Sequence, residues 1–253
     1  MNNFILKFLF DGLGYRIIAK CIFFCGRFYT FNHVKIRKIL IKSTLLSFKF
    51  LIDVEDPKQF KFPTKLLRLY GFYEPLTSIV LKNHVSEISN VLEIGSAYGY
   101  FTVQLAKYAK NGSVKAIEPN ITYYNNYLIK NIKLNNLHNV KSYNQAIGGD
   151  SIIDVKGINI KPINFKKFVI EECQNEPIDF IFIDVDARDE EGNIIRNEII
   201  ILRQIFKYYK KLKKPKIFLE TKDLDKIYED IKANNYEIKT ITRRHFILLP
   251  MIN

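Results

Sequence analysis

From about residue 74 onward, short apolar runs alternate with stretches of helical spacing, and this alternation constrains the fold more than any other feature of the chain. The runs at Asn90 to Ile94, Val114 to Ile117, Val140 to Tyr143, Ile178 to Ile183 and Lys216 to Leu219 lack polar alternation, as strands buried on both faces do. Helical periodicity spans Glu74 to Ser86, Tyr98 to Ala109, Ile121 to Asn135, Asn193 to Lys211 and Leu224 to Asn234. Strand and helix in alternation predict a doubly wound α/β domain with a mostly parallel sheet and right-handed crossovers. Tyr236 to Thr240 and His245 to Leu249, joined by a basic turn, predict an antiparallel C-terminal hairpin at one sheet edge. Two further short strands fit between Gly148 and Ile163.

Residues 1–52 stand apart. Apolar residues from Phe4 to about Leu51 recur at helical spacing among Lys and Arg, which predicts a basic helical extension of two amphipathic helices broken near Thr30 to Asn32. The remaining 53–253 form the predicted α/β domain.

The segment Val91-Leu92-Glu93-Ile94-Gly95-Ser96-Ala97-Tyr98-Gly99-Tyr100-Phe101 runs from strand through a glycine turn into helix. In an open α/β sheet such a turn lies at the carboxyl edge, where ligands bind. A dinucleotide fingerprint would need glycine where Ala97 and Tyr100 stand, and a phosphate-binding loop would need Gly-Lys-Ser/Thr, so both are excluded. Glu93 precedes the first glycine, and a carboxylate there repels pyrophosphate but suits a cationic ligand such as S-adenosyl-L-methionine. Glu118, at the end of the next strand in Ile117-Glu118-Pro119-Asn120, stands ~20 residues further on, where an acid accepts bonds from ribose hydroxyls.

Those motifs resemble the FkbM-type family of class I, Rossmann-like S-adenosylmethionine-dependent methyltransferases. The similarity covers about Leu67 to Asp189, from Tyr70-Gly71-Phe72-Tyr73-Glu74-Pro75 through the glycine turn and Glu118-Pro119 to Asn131-Ile132-Lys133-Leu134-Asn135, Asn144-Gln145-Ala146-Ile147-Gly148 and Ile183-Asp184-Val185-Asp186. The resemblance implies cofactor contacts at Glu93, Gly95 and Glu118, with Ser96, Ala97, Gly99, Tyr100, Phe101, Pro119 and Asn120 around them. It also implies that Asn144, Gln145 and Ala146 lie near the adenine and that Glu74 helps close the pocket. The family usually carries Lys-x-Asp-Val-Glu-Gly after the fourth strand, where this chain has Phe182-Ile183-Asp184-Val185-Asp186-Ala187.

Asp184 and Asp186 fall at the carboxyl end of that strand, where they can orient or deprotonate an acceptor hydroxyl. With Asp189, Glu190 and Glu191 they could alternatively ligate a divalent cation or form a solvated loop; no metal is assigned. His245, beside Arg243 and Arg244, reads as a surface or packing residue.

The implied reaction is O-methylation of a hydroxyl or carboxyl on a glycan, lipid-linked or small-metabolite acceptor. The alternatives are an RNA methyltransferase, since Glu118 to Asn135 also resembles some tRNA-modifying enzymes, and a non-catalytic cofactor-binding scaffold. A net charge of +13 favours an anionic partner: RNA, an acidic glycan or a membrane surface. The basic residues concentrate before Asp53 and again at Lys207, Lys210, Lys211, Lys213, Lys214 and Lys216. Basic amphipathic helices could equally cover the active site or form a homodimer seam. Cys21, Cys25 and Cys173 show no metal-ligand spacing with histidine, and no uncharged run approaches the ~18 residues of a spanning helix. A cytoplasmic protein, at most peripheral at a membrane, is expected.

Overall fold

The computed structural model describes residues 38–42, 49–53, 74–174, 176–189 and 191–251. Strands β1 (Lys38–Lys42) and β2 (Lys49–Asp53) pair antiparallel, Lys38 opposite Asp53 and Lys42 opposite Lys49. This corrects the expected helix over that stretch. Each strand is a three-residue apolar core flanked by charged residues, too short for periodicity to separate helix from strand. The rest of the predicted extension, with Cys21 and Cys25, lies outside the described residues.

The domain is built on a seven-stranded sheet. In chain order its strands are β3 (Asn90–Ile94), β4 (Ser113–Ile117), β5 (Val140–Tyr143), β8 (Phe180–Ile183), β11 (Lys216–Glu220), β12 (Tyr236–Thr240) and β13 (His245–Pro250). Across the sheet the order is β12-β13-β11-β8-β3-β4-β5. The five strands from β11 to β5 are parallel, whereas β13 runs antiparallel between β11 and β12. The predicted hairpin therefore forms, and its second strand also inserts into the sheet. The order reverses beside β3, so the carboxyl ends of β3, β4 and β8 open a crevice.

Helices cover both faces: α1 (Pro75–His84), α2 (Tyr100–Tyr108), α3 (Ile121–Tyr123) running through a π turn at Tyr124–Leu128 into α4 (Ile129–Leu134), α5 (Phe165–Glu172), α6 (Asn197–Tyr208) and α7 (Tyr228–Ala233). Alternate strand residues feed two cores. Leu92, Ile94, Ile181 and Ile183 pack with α5 and α6, while Val91, Phe180, Phe182 and Phe218 pack with α1 and α2. Phe182 and Phe218 stack with ring centroids 4.7 Å apart. The family lysine position is thus filled by an aromatic core side chain.

Helix α5 went unread in the sequence. The Asn164 side chain caps it by accepting from the Lys166 amide, and Phe165, Phe168 and Val169 bury at i, i+3, i+4 spacing. Each such side chain stabilises the fold by roughly 1.5–3 kcal/mol. Eight residues beside a weakly patterned loop give little periodic signal. That loop contributes β6 (Ile153–Asp154) and β7 (Asn159–Ile160) to a small sheet completed by β9 (Ala187–Arg188) and β10 (Ile194–Ile195) from the stretch after β8, in the order β10-β9-β6-β7. Its Ile153, Val155 and Ala187 pack with Ala146 beside the crevice.

Candidate donor-binding and transfer site

A cavity of about 420 Å³ occupies the crevice, within the usual range for small-ligand sites. Its construction begins at Gly95, whose φ of 95° is left-handed and whose missing side chain is essential. A Cβ at this position would lie 1.8 Å from the Asp184 carbonyl oxygen. The turn then passes through Ala97, also left-handed at φ 47°, and Gly99 at φ 79°. Holding alanine in that region costs about 1–2 kcal/mol, and its orientation aims the Ala97 amide at Glu118.

Glu118 is 4% exposed, and both its carboxylate oxygens are fixed. The Ala97 amide donates to Oε2 at 2.7 Å and the Asn120 amide to Oε1 at 2.8 Å. Burial raises its pKa from the ordinary value, against the lowering effect of those two amides and of Lys156. Each oxygen keeps a lone pair for a further donor, so the group can accept from two vicinal hydroxyls on the cavity side. Asn120 also caps α3, its side chain accepting from the Thr122 and Tyr123 amides. Asn144 donates to the Glu118 and Pro119 carbonyls at 2.9 and 3.0 Å and so ties the β4 and β5 loops together.

The cavity wall brings together nine predicted positions: Glu74, Gly95, Ala97, Glu118, Pro119, Gln145, Ala146, Asp184 and Asp186. The other predicted positions, Glu93, Ser96, Gly99, Tyr100, Phe101, Asn120 and Asn144, lie outside that wall. Glu93 is wholly buried behind the turn, where Oε2 accepts from Ser96 Oγ at 2.9 Å and Thr102 Oγ1 at 2.5 Å. It braces the glycine turn. Desolvation pushes its pKa up to about 7, despite those two hydroxyls. Tyr100 and Phe101 belong to the α2 core, and Gly99 lies against Leu128.

Several wall residues were missed, notably Lys156, Asn197, Glu220 and Arg244. Asn197 is 3% exposed and donates its amide nitrogen to the Ile147 carbonyl at 2.9 Å. Asn197 Oδ1 packs against Gly148, where a Cβ would lie 2.5 Å from it. Asn197 Oδ1 and Gln145 Oε1 are both buried without a hydrogen-bond partner among the described residues. Buried acceptors of this kind carry a desolvation cost until a donor meets them.

At the other end of the cavity carboxylates crowd together. Asp184 has its pKa raised by burial first, then by the charges of Glu220 and Glu74. Glu220 is lowered instead: burial is opposed by its hydrogen bond and charge interaction with His245. His245 was read as a surface or packing residue. The structure places its Nε2 3.4 Å from Glu220 and 3.9 Å from Glu74, at the cavity edge. Asp189 turns away from this group, accepting from the Asn193 amide at 2.7 Å in an exposed loop.

The sheet order, the inserted antiparallel strand and the acid beyond the glycine turn define the fold of class I S-adenosylmethionine-dependent methyltransferases. No family model matches the chain. A curated protein of Methanocaldococcus jannaschii, tRNA(Phe) (4-demethylwyosine(37)-C(7)) aminocarboxypropyltransferase, is 54% identical over 50 residues. That match spans 20% of this chain and only 20% of the relative's length. Among solved structures, M. jannaschii TYW2 in complex with AdoMet aligns over 85% of this chain and 86% of its own, at 20% identity and a TM-score of 0.50. The METTL16 methyltransferase domain aligns over 80% of this chain and 74% of its own, at 16% identity and a TM-score of 0.49.

Proposed function

We propose that this chain is an S-adenosylmethionine-dependent O-methyltransferase acting on a hydroxyl of a glycan, lipid-linked or small-metabolite acceptor. The observation that carries the reading is Glu118, buried, braced on both oxygens and facing the cavity beside a glycine that tolerates no side chain. The fit extends to the far wall, where the polar residues Gln145 and Asn197 line the cavity beside Ala146 and Ile147. When bound, the donor supplies an activated methyl group on a sulfonium.

The chain's own residues then position and exclude. Glu118 holds the ribose, and the Ala146, Ile153 and Val155 side chains shield the base from water. Asp184 hydrogen-bonds Glu220 in a crowded pair that favours retaining a proton. Asp186 reaches the cavity from its solvent side and is the group placed to accept the proton of an acceptor hydroxyl. Four acids at this end repel a carboxylate acceptor, which narrows the expected acceptor to a hydroxyl. Much of the acceleration can come from such positioning. The FkbM-type motifs support the same acceptor class.

A second reading, an RNA acceptor, is favoured by the local match to the M. jannaschii tRNA enzyme and by the net charge of +13. Against it, the Lys213 to Lys216 group sits at the amino ends of β8 and β11, opposite the cavity: Lys213 pairs with Asp179 and Lys216 donates to the His84 carbonyl. The test is incubation of the protein with donor labelled either on the methyl or on the carboxyl carbon, in the presence of RNA, glycan-lipid and small-metabolite fractions. Methyl label alone in a glycan, lipid or metabolite product supports the proposal. Label confined to RNA supports the second reading, and carboxyl label in any product overturns methyl transfer.

A further inference from the structure

We propose that Glu74, Glu220 and His245 form a binding site for a divalent first-row transition cation at the transfer end of the cavity. One ligand atom from each lies within 4.8 Å of the other two. The three come from separate parts of the chain: Glu74 caps α1, Glu220 ends β11 and His245 begins β13, where β11 and β13 pair Glu220 directly opposite His245. The set is not an acidic cluster alone, since an imidazole nitrogen stands at its centre. His245 Nε2 lies 3.4 Å from Glu220 Oε2 and 3.9 Å from Glu74 Oε2. Ligands about 2.1 Å from one ion stand at such separations from each other.

The ring is held in the required sense. Thr77 Oγ1 lies 3.4 Å from Nδ1, so the outer nitrogen has a hydroxyl neighbour while Nε2 is turned toward the carboxylates. An outer-shell partner on the second ring nitrogen is a recurrent feature of metal-bound histidine. Thr77 is fully buried and also donates to Glu74 Oε2 at 3.2 Å, which positions two of the three ligands from one side chain. Phe218 packs the ring at a centroid distance of 5.6 Å.

Charge completes the argument. Glu74, Asp184, Asp186 and Glu220 line the cavity, whose wall carries Arg244 and Lys156 as its Lys and Arg side chains. A dication would balance the surplus, and imidazole with carboxylates selects manganese or zinc over magnesium. Glu74 and Glu220 themselves line the cavity, so an ion there would lie beside an acceptor oxygen and favour its ionised form. In that role the inference rests on the transfer reading above, but cation binding itself does not.

The test is titration of the metal-stripped full chain with manganese chloride, followed by the loss of the free-ion paramagnetic resonance signal, without any methyl donor. One ion per chain is expected. Glu220→Gln and His245→Gln should each weaken binding by about tenfold or more, while Asp189→Asn, in the exposed loop, should leave it unchanged. Thermal unfolding of each variant checks folding, and the isosteric Glu220→Gln remains informative if His245→Gln does not fold. Absence of saturable binding, or equal affinity in Glu220→Gln, overturns the site. S-adenosylmethionine titration of the same samples separates the two ideas: donor binding without the ion sinks only the cation site, and ion binding without the donor sinks only the transfer reading.

Discussion

Glu93 offers a quantitative test of how the glycine turn is built. Its carboxyl, wholly buried, is pushed from an ordinary 4.5 up to about 7, chiefly by desolvation. The folded state therefore binds this proton more tightly than the unfolded chain does. Its stabilising contribution is full below pH 4.5 and is lost as pH rises through about 7. At about 1.4 kcal/mol per pH unit, the loss across that window is roughly 3 kcal/mol. Glu93→Gln removes the titration while keeping an oxygen for Ser96 and Thr102, but it buries an amide that must find a partner. We expect the variant to be about 1 kcal/mol less stable near pH 5, with the two stability curves crossing near pH ~6 and the variant about 1 kcal/mol the more stable at pH ~7. Urea unfolding followed by far-ultraviolet circular dichroism, from pH 5 to 8.5 without ligand, measures both curves. Parallel curves would refute the assignment of Glu93 as a buried, uncompensated brace.

Other expectations follow from the same geometry. Gly95→Ala drives a Cβ into the Asp184 carbonyl and should cost on the order of 4 kcal/mol or leave no folded protein, as soluble yield and thermal unfolding will show. Ala97→Gly, which relieves a left-handed alanine, should instead be neutral or stabilise by up to about 1 kcal/mol while preserving donor affinity; a large loss of stability would contradict the turn as described. Asn197→Leu should weaken donor binding about tenfold while discriminating less between adenine and hypoxanthine forms of the donor, and unchanged discrimination would remove it from the base contact. If RNA is the acceptor, retention on RNA should fall steeply between 50 and 200 mM salt, whereas a salt-independent interaction would count against phosphate contacts.

The alternation of apolar runs made the parallel sheet readable, and the acid at the end of β4 made Glu118 readable, because both are local patterns. The place of Glu93 behind the cavity wall has a reason rooted in strand geometry. Successive strand residues face opposite sides, and a carboxylate two residues before the first glycine can face the ligand or brace the turn from behind. Here Leu92 and Ile94 belong to one core, so Glu93 is left on the α2 side, where Thr102 meets it. The transfer end was harder still. Glu220 and His245 meet because the last strand inserts beside β11, a pairing that no short window of sequence contains. Asn197 lay within a stretch of helical spacing, and its orphaned oxygen becomes apparent only once the Ile147 carbonyl claims its nitrogen. Within the basic extension, β1 and β2 were too short to reveal their period.

Calorimetric titration of S-adenosylmethionine into wild type and into Glu118→Ala reaches the centre of this account. Wild type should bind one equivalent. Loss of two hydrogen bonds to a charged group, at about 1.5–3 kcal/mol each, should weaken the variant by roughly a hundredfold or more. Equal affinity in the two proteins, or a wild type silent toward millimolar donor, would contradict the assignment of Glu118 as the ribose anchor.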